Sequence, residues 1–414
     1  MNQKPLEITK GAEALCADRI GYAKLTKLAF DGMDLRPALH RLLARLAQGD
    51  VSVGETFDLS VLAQLVGEKE AGLEIQSEVL SFQRLFRSPC ATETPRLRVL
   101  ALAAAMDIGG NTPIEFLLEE TDIELTTLYV VPGTPLAPLP EHDVAIVIAS
   151  DSEECREALA EMARLAPRWP RPLLNAPHFV ANLDRDKLYG LLDGIAGLEI
   201  PVTAVRTRAQ LADVARGEAL FDDRHASFPF IVRPRGSHAG RGLAKIDDAA
   251  ALDRYLAEHS QAEFFASPFV DYAGADGQFR KYRVAFVDHK PYAVHMAIAG
   301  RWDIWYLNAG MSFSADKRRE EENFMRGFEA DFAAKHRAAL AAVAERVGLD
   351  YFTIDCAENR NGELLIFEAD NTAVVHNMDS PEVYPYKAPQ MRMVFDAFAR
   401  MLSRHARSAE ERAA

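Results

Sequence analysis

The 414-residue chain is 49% hydrophobic, has a net charge of −14 at neutral pH, and contains four cysteines, Cys16, Cys90, Cys155 and Cys356. There is enough apolar sequence for two or three domains, and the acidic balance speaks against a nucleic-acid footprint. No cysteine pair has C-x-x-C spacing, which argues against a zinc site or a disulfide framework and for reduced thiols. The N-terminal stretch MNQKPLEITKGAEAL has no apolar signal core and no long apolar run follows it, so the expectation is a cytoplasmic protein with no membrane partner.

Residues 1–92 read as a helical, hairpin-like or repeat-like domain. YAKLTKLAFDG, DLRPALHRLLARLAQG, DLSVLAQLVG and EKEAGLEIQSEVLSFQRLFRS have helical apolar spacing. Asp34 and Asp58 stand where N-caps belong, and Gly32, Gly49 and Gly67 where helices stop. Residues 93–200 alternate between strands and helices, which predicts a parallel α/β sheet. The strands are RLRVLALAA, ELTTLYVV, HDVAIVIAS and RPLLNAP. The helices are TPIEFLLEE, with Thr112 as cap and Pro113 first, and SEECREALAEMARLA with Ser152 as cap. Residues 201–405 mix strands and helices as an α+β unit, and 406–414 form a charged tail expected to fray.

Two segments of the last unit carry chemistry. In YFTIDCAENRNGELLIFEADN, Asn361-Gly362 signals a two-residue hairpin turn. That register sets Asp355 opposite Glu368 on one sheet face, about 4.5–5.5 Å apart at Cβ, with Asp370 beside them. Opposed like charges are destabilising, so a divalent cation is the natural compensation, against a solvated acidic face as the plainer alternative. Asn371 competes with Asp370 as third ligand. Cys356 points to the other face and reads as core. FPFIVRPRGSHAGRGLAKI then supplies a basic, glycine-bearing hairpin. Arg233, Arg235, Ser237, His238, Gly240 and Gly242 can approach phosphate oxygens there, although a plain surface turn fits equally. AEFFASPFVDYAGADG offers an apolar wall with Asp271, and FRKYRVAFVDHKPYAV is a strand pair turning at Asp288-His289, with Arg280, Lys281 and Arg283 at its start.

The order of these segments, over roughly residues 96 to 400, resembles the ATP-grasp superfamily, with the nearest likeness to carboxylate–amine ligases such as glutathione synthetases and ribosomal-protein glutamate ligases. The resemblance implies a pre-ATP-grasp-like α/β domain followed by an ATP-grasp fold, with the N-terminal helices outside it. It implies that ATP is held by Lys187 in NLDRDKLYGLL, by Arg233 where the family carries a lysine, and by the hinge residues Phe269, Val270 and Asp271. It also implies that Arg283 and Asn308 serve the reacting centre. Asp355, Glu368 and either Asp370 or Asn371 would hold one or two Mg²⁺, or Mn²⁺ in their place.

The activity implied is ADP-forming ligation of a carboxylate to an amine through an acyl phosphate. The alternatives are a kinase-like phosphotransferase and a nucleotide-binding scaffold that has lost turnover. Substrate candidates are Asn111 and Asn175 at strand ends, His376 as a base or a loop-bound histidine, and Lys387 as a carboxylate partner or a surface ion pair. A small-molecule or peptide carboxylate and an amine are the expected substrates. A protein partner on the N-terminal helices and a homo-oligomer are the further expectations.

Overall fold

The computed structural model describes residues 4–217, 228–237 and 240–413. His238 lies outside them. The chain forms two compact units, one of residues 1–181, 349–352 and 370–414, the other of residues 182–348 and 353–369. These units do not follow the divisions expected at 92/93 and 200/201.

In the first unit the apolar run Leu97–Ala104 forms strand β3, buried along nearly its whole length, as a strand covered on both faces requires. Its sheet also contains β1 (Ala17–Asp18), β2 (Leu85–Arg87), β4 (Ile123–Val130), β5 (Val144–Val147) and β6 (Leu173–Leu174), in the order β1-β2-β4-β3-β5-β6. β4, β3, β5 and β6 run parallel and β2 is antiparallel to β4, so the α/β expectation is met with an added edge. The N-terminal helices span Tyr22–Phe30, Arg36–Ala47, Val53–Leu65 and Lys69–Leu80. Gly32, Gly49 and Gly67 follow three of them with left-handed backbone (φ 78°, 72° and 94°), the conformation that ends a helix at least cost to glycine.

Several local expectations are corrected. Asp58 is not a cap. Its helix starts at Val53 behind a Ser52/Glu55 capping box, and Asp58 lies buried in its interior. Thr112 donates to the carbonyls of Ile148 (3.2 Å) and Asn371 (2.7 Å) rather than capping, and the helix after Pro113 is a single turn, Ile114–Leu117. The last helix runs Lys387–Ala413, through the start of the tail expected at 406, in keeping with its Ala-, Arg- and Glu-rich sequence.

The second unit holds two sheets. One is the antiparallel set β10-β9-β11-β8, built from β8 (Ala204–Thr207), β9 (Phe230–Pro234), β10 (Ala244–Ile246) and β11 (Glu263–Pro268). Phe230, Val232, Phe264 and Leu252 form its core with helix Ala249–Glu258. The other is ordered β13-β12-β14-β15-β7, from β7 (Leu198–Glu199), β12 (Phe279–Val287), β13 (Lys290–Ala299), β14 (Tyr351–Glu358) and β15 (Leu364–Asp370). The Asp288-His289 turn is as read from the sequence. Both residues have positive φ (55° and 62°), the pattern of a type I′ hairpin, and Val287 pairs with Lys290. The fold is mixed α/β and α+β. Among the described residues no helix is long and apolar enough to cross a membrane.

Candidate active site

Strand alternation on β12 puts Lys281 and Arg283 on one face and Arg280 on the other. Arg280 is held by Asp276 and Glu320. Lys281 and Arg283 converge on Asp355 of β14. Arg283 grips it with a two-pronged contact, Nε to Oδ1 at 2.7 Å and Nη2 to Oδ2 at 3.1 Å, and Lys281 Nζ lies 2.7 Å from Oδ2. A register shift between Arg283 and Val284 accompanies this placement. Asp355 is only 4% exposed. Burial alone would raise its pKa, but Arg283 and Lys281 hold the carboxyl well below the usual carboxylate range.

The acidic hairpin differs from the expected one by a residue. Asn359 N–H donates to Glu363 O (3.0 Å), so the loop contains residues 360–362, with Gly362 left-handed at φ 78°. This is the three-residue hairpin with glycine in the left-handed position. The simple register facing Asp355 with Glu368 therefore does not hold from the turn. Glu368 is nonetheless close enough for the charge of Asp355 to act on it. Burial and Asp355 push its carboxyl up, while Arg185, Lys281 and Arg233 outweigh them and lower it.

Arg185 is the residue that sequence reasoning missed. It is the first residue of helix Arg185–Leu192. Its Nη1 donates to Phe367 O at 3.2 Å and its Nη2 to Glu368 Oε2. Lys187, the lysine singled out by resemblance, lies on the exposed side of the same helix. Two residues on a helix differ in direction by about 200°, so only one of Arg185 and Lys187 can face the strand.

Arg233 on β9 is 9% exposed and donates to Ser237 Oγ at 3.1 Å and to Ser237 O. Burial, reinforced by Arg185, brings its pKa down to about 10. Arg235 is tied to Glu263 (2.8 Å) and Asp184 (3.4 Å). Gly240 and Gly242 adopt left-handed backbone, and a Cβ on Gly242 would strike the Pro234 ring at 2.7 Å. Lys245 Nζ sits 4.6 Å from the Phe269 ring centroid, and Phe269 meets Trp302 edge-on. Val270 packs against Tyr272, Ala357 and Leu365. Asp271 pairs with Arg360 at 2.6 Å. Asn308 is exposed and ties its own turn, accepting from Trp305 N–H and donating to Asp303 O, both at 3.0 Å.

The remaining candidates belong to the first unit, where their polar atoms serve the chain itself. Asn111 bonds both ways to the Ala104 backbone (2.8 and 2.9 Å). Buried Asn175 clamps Tyr351 N–H and C=O and takes Asp350 on its own N–H. His376 Nδ1 accepts from Met378 N–H, and its ring packs on Phe30. Lys387 is buried against Asp379 at 2.9 Å and over the Tyr384 ring. Asp370 Oδ1 accepts from Thr372 N–H and Oγ1. Asn371 is fully buried, with Nδ2 on Ala149 O and no partner on Oδ1.

Among the described residues no three His, Cys, Asp or Glu side chains are arranged as a metal cage. The second unit instead groups two carboxylates, Asp355 and Glu368, with four cations, Arg185, Arg233, Lys281 and Arg283. This donor set fits a magnesium ion carried on phosphates, which takes one or two carboxylates from protein, better than a dedicated protein site.

No protein-family model and no curated protein matches the chain. Among solved structures it is similar to a RimK domain ATP-grasp protein from Sphaerobacter thermophilus, at 16% identity and TM-score 0.44, over 73% of this chain and 99% of that one. It is similar to the VanG D-Ala:D-Ser ligase from Enterococcus faecalis, at 10% and 0.45, over 74% and 100%. A third is a D-alanine–D-alanine ligase from Bacillus anthracis complexed with ATP, at 12% and 0.43, over 75% and 99%.

Proposed function

We propose that the protein is an ATP-dependent carboxylate–amine ligase that forms ADP. One observation carries this reading: four cations surround two carboxylates in a chain whose net charge is −14. The local surplus of positive charge suits a polyphosphate, and the carboxylates suit its counter-ion.

In this reading a carboxylate oxygen of the first substrate attacks the γ-phosphorus of ATP, the bond to ADP breaks, and an acyl phosphate results. The second substrate's amine then attacks the acyl carbon, inorganic phosphate leaves, and the amine loses a proton as the amide forms. Arg283 and Lys281 stabilise the transferring phosphoryl oxygens, and Arg233 with Ser237 and the glycine turn holds the other phosphates. Asp355 and Glu368 would hold Mg²⁺, which would supply neutralisation of phosphate charge. Val270 and Phe269 wall the base, and Asp271 faces the ribose. Positioning and charge neutralisation are the whole of the protein's task, so no protein nucleophile is required.

The test is ADP release by the full chain with Mg²⁺, screened over carboxylates and amines. Release that needs both substrates and is abolished in Glu368→Gln supports the ligase. Release with an acid alone that leaves a stable phosphorylated product favours the kinase-like chemistry. Turnover unchanged in Glu368→Gln contradicts the metal assignment.

A further inference from the structure

Arg185 is placed more specifically than a fourth cation needs to be. Its guanidinium spans two acceptors of one strand, the Phe367 carbonyl and the Glu368 carboxylate. It and Glu368 are both partly covered, with side chains 24% and 27% exposed. Asp355 has its own cations, Lys281 and Arg283, so Glu368 depends on Arg185 for its direct ion pair. Arg233 is close enough for the charge of Arg185 to oppose its own.

This arrangement treats two arriving species differently. A bare divalent ion must displace Arg185 from Glu368, and it costs Arg185 that ion pair while offering it no new acceptor. A metal that arrives on a polyphosphate brings new oxygen acceptors for both arginines. The exchange then replaces each lost ion pair with another.

On the ligase reading above, we propose that Arg185 is a positioning residue that closes Glu368 to free divalent metal and moves to phosphate oxygens when metal arrives with nucleotide. Metal and nucleotide therefore enter together, and the carboxylate is freed only by the species that can use it. The exchange is an ion-pair swap and breaks no covalent bond.

The test uses the full chain and two ligands, Mn²⁺ alone and ATP with Mg²⁺. Mn²⁺ binding without nucleotide is read from the electron paramagnetic resonance signal of the free ion. ATP binding is read by calorimetry. Arg185→Met should bind Mn²⁺ alone about tenfold more tightly than wild type, and should bind ATP about tenfold more weakly, the scale of one charge-assisted hydrogen bond. Adding Glu368→Gln to Arg185→Met should return Mn²⁺ binding to the wild-type level. Unchanged Mn²⁺ affinity in Arg185→Met overturns the inference.

Circular dichroism reports whether that variant folds. If it does not, Arg185→Lys is read instead, since it keeps the charge and loses the two-acceptor grip. A gain in Mn²⁺ affinity then supports the inference and no gain overturns it. Wild type lacking Mg²⁺-dependent ATP binding would bring down the ligase reading itself. Wild type that binds ATP while Arg185→Met handles Mn²⁺ normally would remove only the role of Arg185.

Discussion

Each unit buries an aspartate against an arginine, and the two contacts differ in kind. In the first unit Asp58 meets Arg19 Nε at 3.0 Å and Ile20 N–H at 2.5 Å. Burial pushes the Asp58 carboxyl up from its ordinary value, against the pull of Arg19 and Ile20. One cation answers one anion in that contact. In the second unit Asp355 has two cations, which together overcome burial and hold it well below its ordinary value. Arg185 and Arg233 add further positive charge around Glu368. A buried acid with one partner is architecture, like Lys387 with Asp379. Buried acids outnumbered by their cations leave charge for a ligand to neutralise.

The largest effect expected from this contrast is on stability. Asp58→Ala strands the Arg19 charge in the interior and should cost about 3–5 kcal/mol in urea unfolding, while the folded fraction keeps its nucleotide affinity. A nucleotide defect in that variant would erase the distinction between the two sites. Next comes Arg283→Met, which leaves Asp355 with Lys281. It should weaken ATP binding by about 1.5–3 kcal/mol, roughly ten- to a hundredfold in Kd by calorimetry.

The smallest effect lies at the capping box that opens helix Val53–Leu65, where Ser52 and Glu55 are exposed or half-exposed. Ser52→Ala should cost about 1 kcal/mol and leave nucleotide binding unchanged. Arg45, helped by the Ser52 N–H, draws the Glu55 carboxyl down from 4.5 to about 2. A depressed folded pKa stabilises above the unfolded value. The advantage of wild type over Glu55→Gln should therefore be complete above pH 4.5 and vanish as pH falls toward 2, followed by unfolding at stepped pH.

The sequence made some of this legible because the signals were local. Apolar runs gave β3, β4 and β5, and Asp288-His289 gave its hairpin, since a tight turn is written in its own residues. Arg280, Lys281 and Arg283 were gathered at the start of their strand, and the structure turns Arg280 away to Asp276 and Glu320. What could not be read depended on distant partners or on a single residue of register. Asp58 looked like a cap because nothing nearby reveals Arg19, 39 positions upstream, as its partner. The Asn361-Gly362 signal gave the hairpin but missed the extra loop residue that displaces Phe367 and Glu368. Arg185 and Lys187 sit two positions apart in one charged stretch, and only packing determines which faces the strand. Asn371 and Asn175 both bond the backbone through their amides, contacts to residues distant in sequence that no local pattern announces.

The most direct test of the surplus-charge account is the thermal stability of the wild-type chain with ATP, with and without Mg²⁺. At about 100 times Kd the nucleotide should stabilise the fold by roughly 2.7 kcal/mol, and the shift should require Mg²⁺ for its full size. No shift under either condition would mean that the cations around Asp355 and Glu368 serve the fold alone, and the account would be contradicted.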